Sequence, residues 1–235
     1  MTKKQKYRAG VGKLQHLMRY FQPETLNLVR ELSRFMMEAG DKHFKAMHRV
    51  MKYCADTPLR GLTLASDTNW DGNKNFEFEV MGISDFNYAT CPETCKRMSG
   101  HSVFLNGAPV TMKSGMQKII ALSVTEAELF VATQCTQDML YVMHVLEGAG
   151  LKVRKPLMLK MDNKGAIDLI NNYSVGGRTK HIDIRQYFLR KLKEKEIVKT
   201  TWIADAENCS DLFTKNLSGP LFEKHAATFI SEKSV

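Results

Sequence analysis

The spacing of apolar residues changes in a fixed order between residues 76 and 213, and that order narrows the available folds more than any single motif does. The two-residue alternation of a strand runs through FEFEVMGIS (76–84), HSVFLNG (101–107), APVTMKS (108–114) and QKIIALS (117–123), with Asn106-Gly107 as the strongest turn signal. Three consecutive antiparallel strands are implied. A long amphipathic run follows, TEAELFVATQCTQDMLYVMHVLEGAG, in which Leu129, Ala132, Leu140, Met143 and Leu146 recur at helical intervals before Gly148 and Gly150. Next come a strand (PLMLKMD), a short helix (KGAIDLINN), a basic helix (HIDIRQYFLRKLKEKE), a strand (IVKTTWIA) and a last helix starting near Asn208. The order βββαβααβα predicts a mixed α/β layer fold.

Upstream the period is helical. Residues 24–39 place Leu26, Val29, Leu32, Phe35 and Met36 on one face, between Pro23 and Gly40. Asp41 is expected to cap a second run whose Phe44, Met47, Val50 and Met51 share a face. With the apolar stretch from Val11 to Leu17, these make a helical unit over 1–58. Residues 61–76, rich in Gly, Asn and Asp, look like a linker or hairpin insertion. The expected boundaries are therefore 1–58, a linker or insertion over 59–78, an α/β domain over 79–220 and a C-terminal tail over 221–235.

At 235 residues and 43% hydrophobic, the chain can bury one substantial core, or one core and a small appendage. Its formal charge of +9 favours a polyanionic partner, because each neutralised phosphate releases counterions. Five scattered cysteines predict a reduced, intracellular protein, and Cys91 and Cys95 lack the following His/Cys pair of a zinc site. The basic start Thr2-Lys3-Lys4 precedes no apolar signal segment, and no run approaches the ~20 residues of a membrane span. No membrane association is expected.

Four acids stand where this order of elements can bring them together. Asp85 ends the first strand, Glu128 lies in the first turn of the long helix, Asp162 ends the fourth strand and Asp211 falls in the last helix. Carboxylates gathered at one sheet edge repel one another unless divalent cations neutralise them, so a site for two Mg²⁺, with Mn²⁺ as a substitute, is expected. Such a pair clamps a scissile phosphate between ions roughly 4 Å apart. Singly, each acid has a plainer use: Glu128 could complete a capping box with Thr125, Asp162 could cap a turn, and Asp85 and Asp211 could be solvated.

Residues Ser84–Pro220 resemble the ribonuclease H domain of copia-type retrotransposon polyproteins. The matching blocks, in order, are GISDFNYA, SGHSVFLNGAPV, ALSVTEAELFVA, MDNKGAIDLINN, RTKHIDIRQYFLR and SDLFTKNL. The resemblance implies a ribonuclease H-like mixed five-stranded sheet flanked by helices, and hydrolysis of the RNA strand of an RNA–DNA hybrid. It makes Asp85, Glu128, Asp162 and Asp211 both the catalytic residues and the metal ligands. Upstream, Tyr7-Arg8, Val11-Gly12, LSRFM and HRVMKY resemble the connection between polymerase and ribonuclease H in that family, with Gln22-Pro23-Glu24 where Arg-Pro-Asp is usual. The implied partners are the hybrid and the polymerase portion of such a polyprotein. The implied location is cytoplasmic, in a virus-like particle, or nuclear.

The chain also departs from the family. It reads Ser84-Asp85-Phe86-Asn87-Tyr88-Ala89 where S-D-x-D-W-A is usual, which loses an acid outside the expected quartet. The loop Asp205-Ala206-Glu207-Asn208 lacks the His of cellular ribonucleases H, so slow turnover is expected. No adjacent aspartate pair of a polymerase site occurs; Tyr53-Cys54-Ala55-Asp56 has one aspartate. Substrate contacts are expected from Ser84, Asn163, Arg178, Lys180, His181 and Arg185, with Arg190 and Lys191 extending a basic ridge that touches phosphates without reading sequence. His181 is read as a helix-start residue beside Asp183 or a phosphate contact, rather than a catalytic base. Two other functions compete: a domesticated or inactive nucleic-acid-binding module that kept the fold, and an integrase-like strand-transfer enzyme. Intact acids at all four positions argue against the first, and the missing zinc-binding His/Cys segment against the second.

Overall fold

A computed structural model describes residues 2–87, 98–117, 123–171 and 183–232. The chain divides into two compact units, one of residues 1–63 with 215–235 and the other of residues 64–214.

Helix α1 (Lys3–Tyr20) starts with a capping box, in which Thr2 Oγ1 accepts from the Gln5 amide and Gln5 Oε1 from the Thr2 amide. Tyr7, Val11 and Leu14 form its buried stripe, packed with Val29 and Leu32 of α2 (Leu26–Ser33) and Met47 and Val50 of α3 (Asp41–Asp56). The helix expected over 24–39 is shorter. It opens as a 3-10 turn at Pro23–Thr25 and ends at Ser33, whose hydroxyl donates to the Arg30 carbonyl at 2.6 Å. Beyond it Phe35 stacks flat on His43 of α3, with ring centroids 3.9 Å apart. Asp41 is the first residue of α3 rather than its cap; Gly40 holds that position, and its amide donates to His43 Nδ1. Strand β1 (Arg60–Leu62) closes this part of the chain.

In the second unit, residues 64–76 form a loop laid on a hairpin rather than a free linker. The Asp67 amide donates to the Asn106 carbonyl at 2.8 Å, and Trp70 packs edge-on against Phe78. Short strand β2 (Glu77–Phe78) precedes β3 (Val80–Asn87), β4 (Met98–Leu105) and β5 (Ala108–Met116), which form the expected antiparallel meander. Asn106 and Gly107 both have positive φ in the turn joining β4 to β5, which is why that dipeptide signals it. Most of the stretch 117–123, read with 108–114 as the third strand, lies outside the described residues.

Ser123, not Thr125, caps helix α4 (Val124–Gly148), its Oγ accepting from the Glu126 amide at 3.1 Å. The Thr125–Glu128 capping box weighed from the sequence is thus displaced. After β6 (Lys152–Val153), which pairs with β2, come β7 (Leu157–Met161), α5 (Lys164–Asn171), α6 (Asp183–Glu194) and β8 (Val198–Trp202). The sheet order is β5-β4-β3-β7-β8, with β3, β7 and β8 parallel. This is the mixed five-stranded sheet expected from the sequence. Its core joins Val80, Val103, Leu157, Leu159 and Met161 of the strands to Leu129, Ala132, Cys135 and Met139 of α4, Ile170 of α5 and Leu189 of α6. A Cβ on Gly82 would fall 2.6 Å from Cys135 Sγ and 2.5 Å from Met139 Sδ, so the missing side chain sets how closely α4 lies on β3.

The last helix expected near Asn208 is a 3-10 turn, Cys209–Phe213, because its hydroxyls bond to the sheet instead of continuing a helix. Ser210 Oγ donates to the Ile83 carbonyl at 2.9 Å, and Ser114 Oγ to the Phe213 carbonyl at 2.5 Å. Residues expected as a tail form helix α7 (Gly219–Ala226) and strand β9 (Ile230–Glu232), which pairs antiparallel with β1 in the first unit. Among the described residues no helix is long and apolar enough to cross a membrane.

Candidate metal centre

Successive side chains of β3 point to opposite faces of the sheet. Phe86 packs on Ala127 and Val131 of α4, so Asp85 points to the other face, towards the 3-10 turn. There Thr214 Oγ1 donates to Asp85 Oδ2, and Asn208 Nδ2 lies 3.5 Å from Oδ1. The turn can approach because β4 offers Gly100 opposite Asp85; a Cβ there would meet Thr214 Cγ2 at 2.7 Å and Phe213 Cβ at 2.9 Å. That approach carries Asp211, itself buried, beside β3. Strand β7 pairs with β3 up to Ser84↔Met161, so Asp162, the next residue, leaves the sheet beside Asp85.

Asp85, Asp162 and Asp211 converge: one carboxylate oxygen of each lies within 4.8 Å of the others. Glu128 is buried at the start of the second turn of α4, one residue past the first turn in which the sequence placed it, and stands outside that group of three. The start of α4 nevertheless lies beside the start of α5, since a Cβ on Gly165 would fall 3.9 Å from Thr125 Oγ1. An all-carboxylate donor set suits a hard cation of the Mg²⁺, Mn²⁺ or Ca²⁺ type and not a thiolate-preferring one.

The other expected contacts fare differently. Ser84 is fully buried among the described residues, its Oγ without a hydrogen-bond partner among them, which does not fit the expected substrate contact. Asn163 Oδ1 accepts from the Ala166 amide at 2.9 Å and so serves the first turn of α5. Arg185 lies over the Phe130 ring, 4.8 Å from its centroid. Arg190 donates to the Leu169 carbonyl, and Lys191 stands over Tyr187. Arg178, Lys180 and His181 lie outside the described residues, as do Cys91 and Cys95. Three residues about the site were missed: Asn208, Thr214 and Trp202, whose Nε1 donates to the Asp162 carbonyl at 3.1 Å. Thr214 belongs to the SDLFTKNL block and so was visible there; Asn208 and Trp202 carried no signal of their own.

Strand order, flanking helices and a carboxylate edge define a ribonuclease H-like fold. The chain matches no protein-family model. It is 31% identical over 217 residues to the Retrovirus-related Pol polyprotein from transposon TNT 1-94 of Nicotiana tabacum, a match covering 92% of this chain and 16% of that protein. It is 28% identical over 227 residues to the Retrovirus-related Pol polyprotein from transposon RE1 of Arabidopsis thaliana, covering 97% of this chain and 15% of that protein. Over most of its length, the homologues of this chain are copia-type Pol polyproteins, of which it spans about a sixth. Among solved structures, LC11-RNase H1 in complex with RNA/DNA hybrid is 13% identical, with a TM-score of 0.45 over 58% of this chain and 94% of that one. A likeness that distant says nothing about chemistry.

Proposed function

We propose that the chain is a ribonuclease H, a hydrolase that cuts the RNA strand of RNA–DNA hybrids with divalent cations held by Asp85, Asp162 and Asp211, with Glu128 as the fourth ligand. The observation that carries this reading is the convergence of the three aspartates at one sheet edge. When bound, two Mg²⁺ ions would supply Lewis-acid activation of a water and stabilisation of the leaving oxygen. The chain's own contribution is to hold the ligands still. Thr214 and Asn208 fix the Asp85 carboxylate, and Trp202 fixes the Asp162 backbone. Carboxylates held in place from several elements bind a small, geometrically demanding cation at less entropic cost than mobile ones.

The basic balance of the chain supports a polyanionic substrate, and sensing of 2′-hydroxyls would direct cutting to the RNA strand. The test compares cleavage of an RNA–DNA hybrid, duplex RNA and duplex DNA with and without Mg²⁺, using Asp162→Asn as control. Mg²⁺-dependent loss of the RNA strand of the hybrid alone is the expected result. Equal cutting of all three duplexes, or equal activity of Asp162→Asn, would sink the reading; binding of the hybrid without cleavage would favour the non-catalytic module.

A further inference from the structure

Trp202 ends β8, paired with Met161 of β7, and the residue is half exposed at 51%. The indole edge is anchored, since its Nε1 donates to the carbonyl of Asp162, one of the three clustered aspartates. Lys164, the first residue of α5, holds its ammonium 4.7 Å from the ring centroid and makes no ion pair among the described residues. An oriented aromatic surface and a cation without an ion pair among the described residues therefore sit together at the rim of the carboxylate cluster.

We propose that Trp202 and Lys164 form a sugar–phosphate subsite for the nucleic-acid substrate, beside the metal centre. The indole packs against a sugar ring in the wide minor groove of the hybrid, and the ammonium pairs with the adjoining phosphate. The pairing of an apolar face with a cation matches a sugar–phosphate backbone, which presents the same two chemistries in alternation. The subsite rests on the nuclease reading above. It adds to that reading a contact that registers the backbone relative to Asp162.

The chain has two tryptophans, so in the full-length Trp70→Phe protein Trp202 alone reports by fluorescence. That protein is titrated with a short RNA–DNA hybrid in Ca²⁺ in place of Mg²⁺, while anisotropy of an end-labelled hybrid measures occupancy. Emission should blue-shift in step with occupancy. Trp202→Ala should weaken Kd about tenfold and Trp202→Phe, which keeps a ring, by less than about threefold. Lys164→Gln should lower the slope of log K against log salt by about one. Saturating anisotropy with unchanged emission would overturn the subsite, and so would equal losses for Phe and Ala, which would reduce the indole to a clamp on the Asp162 carbonyl. Absence of any hybrid binding would sink the nuclease reading together with the subsite. The emission test uses the unaltered Trp202, so it stands even if Trp202→Ala fails to fold.

Discussion

Each unit buries an acid near the limit of what a protein interior tolerates, and the two resolve the cost in opposite ways. Glu24 in the helical unit is 1% exposed, and burial pushes its carboxyl up to about 7 even though the Tyr53 hydroxyl, at 3.3 Å, and Arg60 favour the charge and Glu223 opposes it. Asp85 in the sheet unit is equally buried but faces two further aspartates, and its oxygens are held by neutral donors from Thr214 and Asn208. A lone buried acid can shed its charge by taking a proton. A converged set held open by fixed donors is better matched to a divalent cation.

The largest expected effect is on the converged set. Asp85→Asn or Asp162→Asn should lower Mg²⁺-dependent cleavage by about a thousandfold or more, on the order of 4 kcal/mol of barrier, because each removes a ligand and little else. The same substitutions relieve carboxylate repulsion, so the melting temperature without metal should hold or rise while the Mg²⁺-induced increase disappears. A retained Mg²⁺ increase in the Asp85 variant would remove that residue from the ligand set.

Next is the lone acid. A carboxyl whose folded value is raised stabilises the fold fully below its ordinary value of 4.5, and that stability is lost as pH rises through about 7. Between pH 4.5 and pH 8 the helical unit should lose up to about 3 kcal/mol. Glu24→Gln should flatten this part of the profile in urea titrations; an unaltered profile would place the titrating group elsewhere.

A smaller effect is expected at the contact that brings the 3-10 turn against β4. Gly100→Ala puts a Cβ against Phe213 and Thr214 and should destabilise the sheet unit by about 2 kcal/mol. It should also weaken metal affinity, because Thr214 and Asp211 move together. Calorimetric Mg²⁺ titration of the folded variant checks this, and unchanged affinity would show that the turn does not set the cluster.

The smallest effect discriminates between two similar strings. Asp67 lies against the Asn106-Gly107 turn, where a Cβ on Gly107 would run into its carboxylate. The register Val80↔Leu105 and Asp85↔Gly100 puts that turn at the opposite end of β3 from Asp85, roughly 17 Å along the strand. Asp67→Asn should therefore leave cleavage within about threefold of wild type. A loss comparable to that of Asp85→Asn would contradict this register.

Much of this was readable from local pattern. The β3–β5 meander, helix α4 and the place of Asp162 just past β7 follow from alternation, the Asn-Gly turn and helical spacing. Asp85, expected to end its strand, instead lies inside β3, which runs on to Asn87. What escaped depends on distant partners. Nothing local tells that Ser210 and Thr214 will bond to β3 instead of extending a helix, or that residues 230–232 will pair with 60–62. Trp202 read as one more strand aromatic; its role beside Asp162 exists only once β7 and β8 are paired.

The pairing of β1 with β9 has a consequence for biosynthesis. The helical unit is made of two stretches, 1–63 and 215–235, so the whole sheet unit is translated between its halves. A chain emerging in order can complete the sheet unit while Arg60–Leu62 still lacks its partner strand. Of these two units, the one begun first is thus finished last, and during that interval a bare strand edge is open to wrong partners.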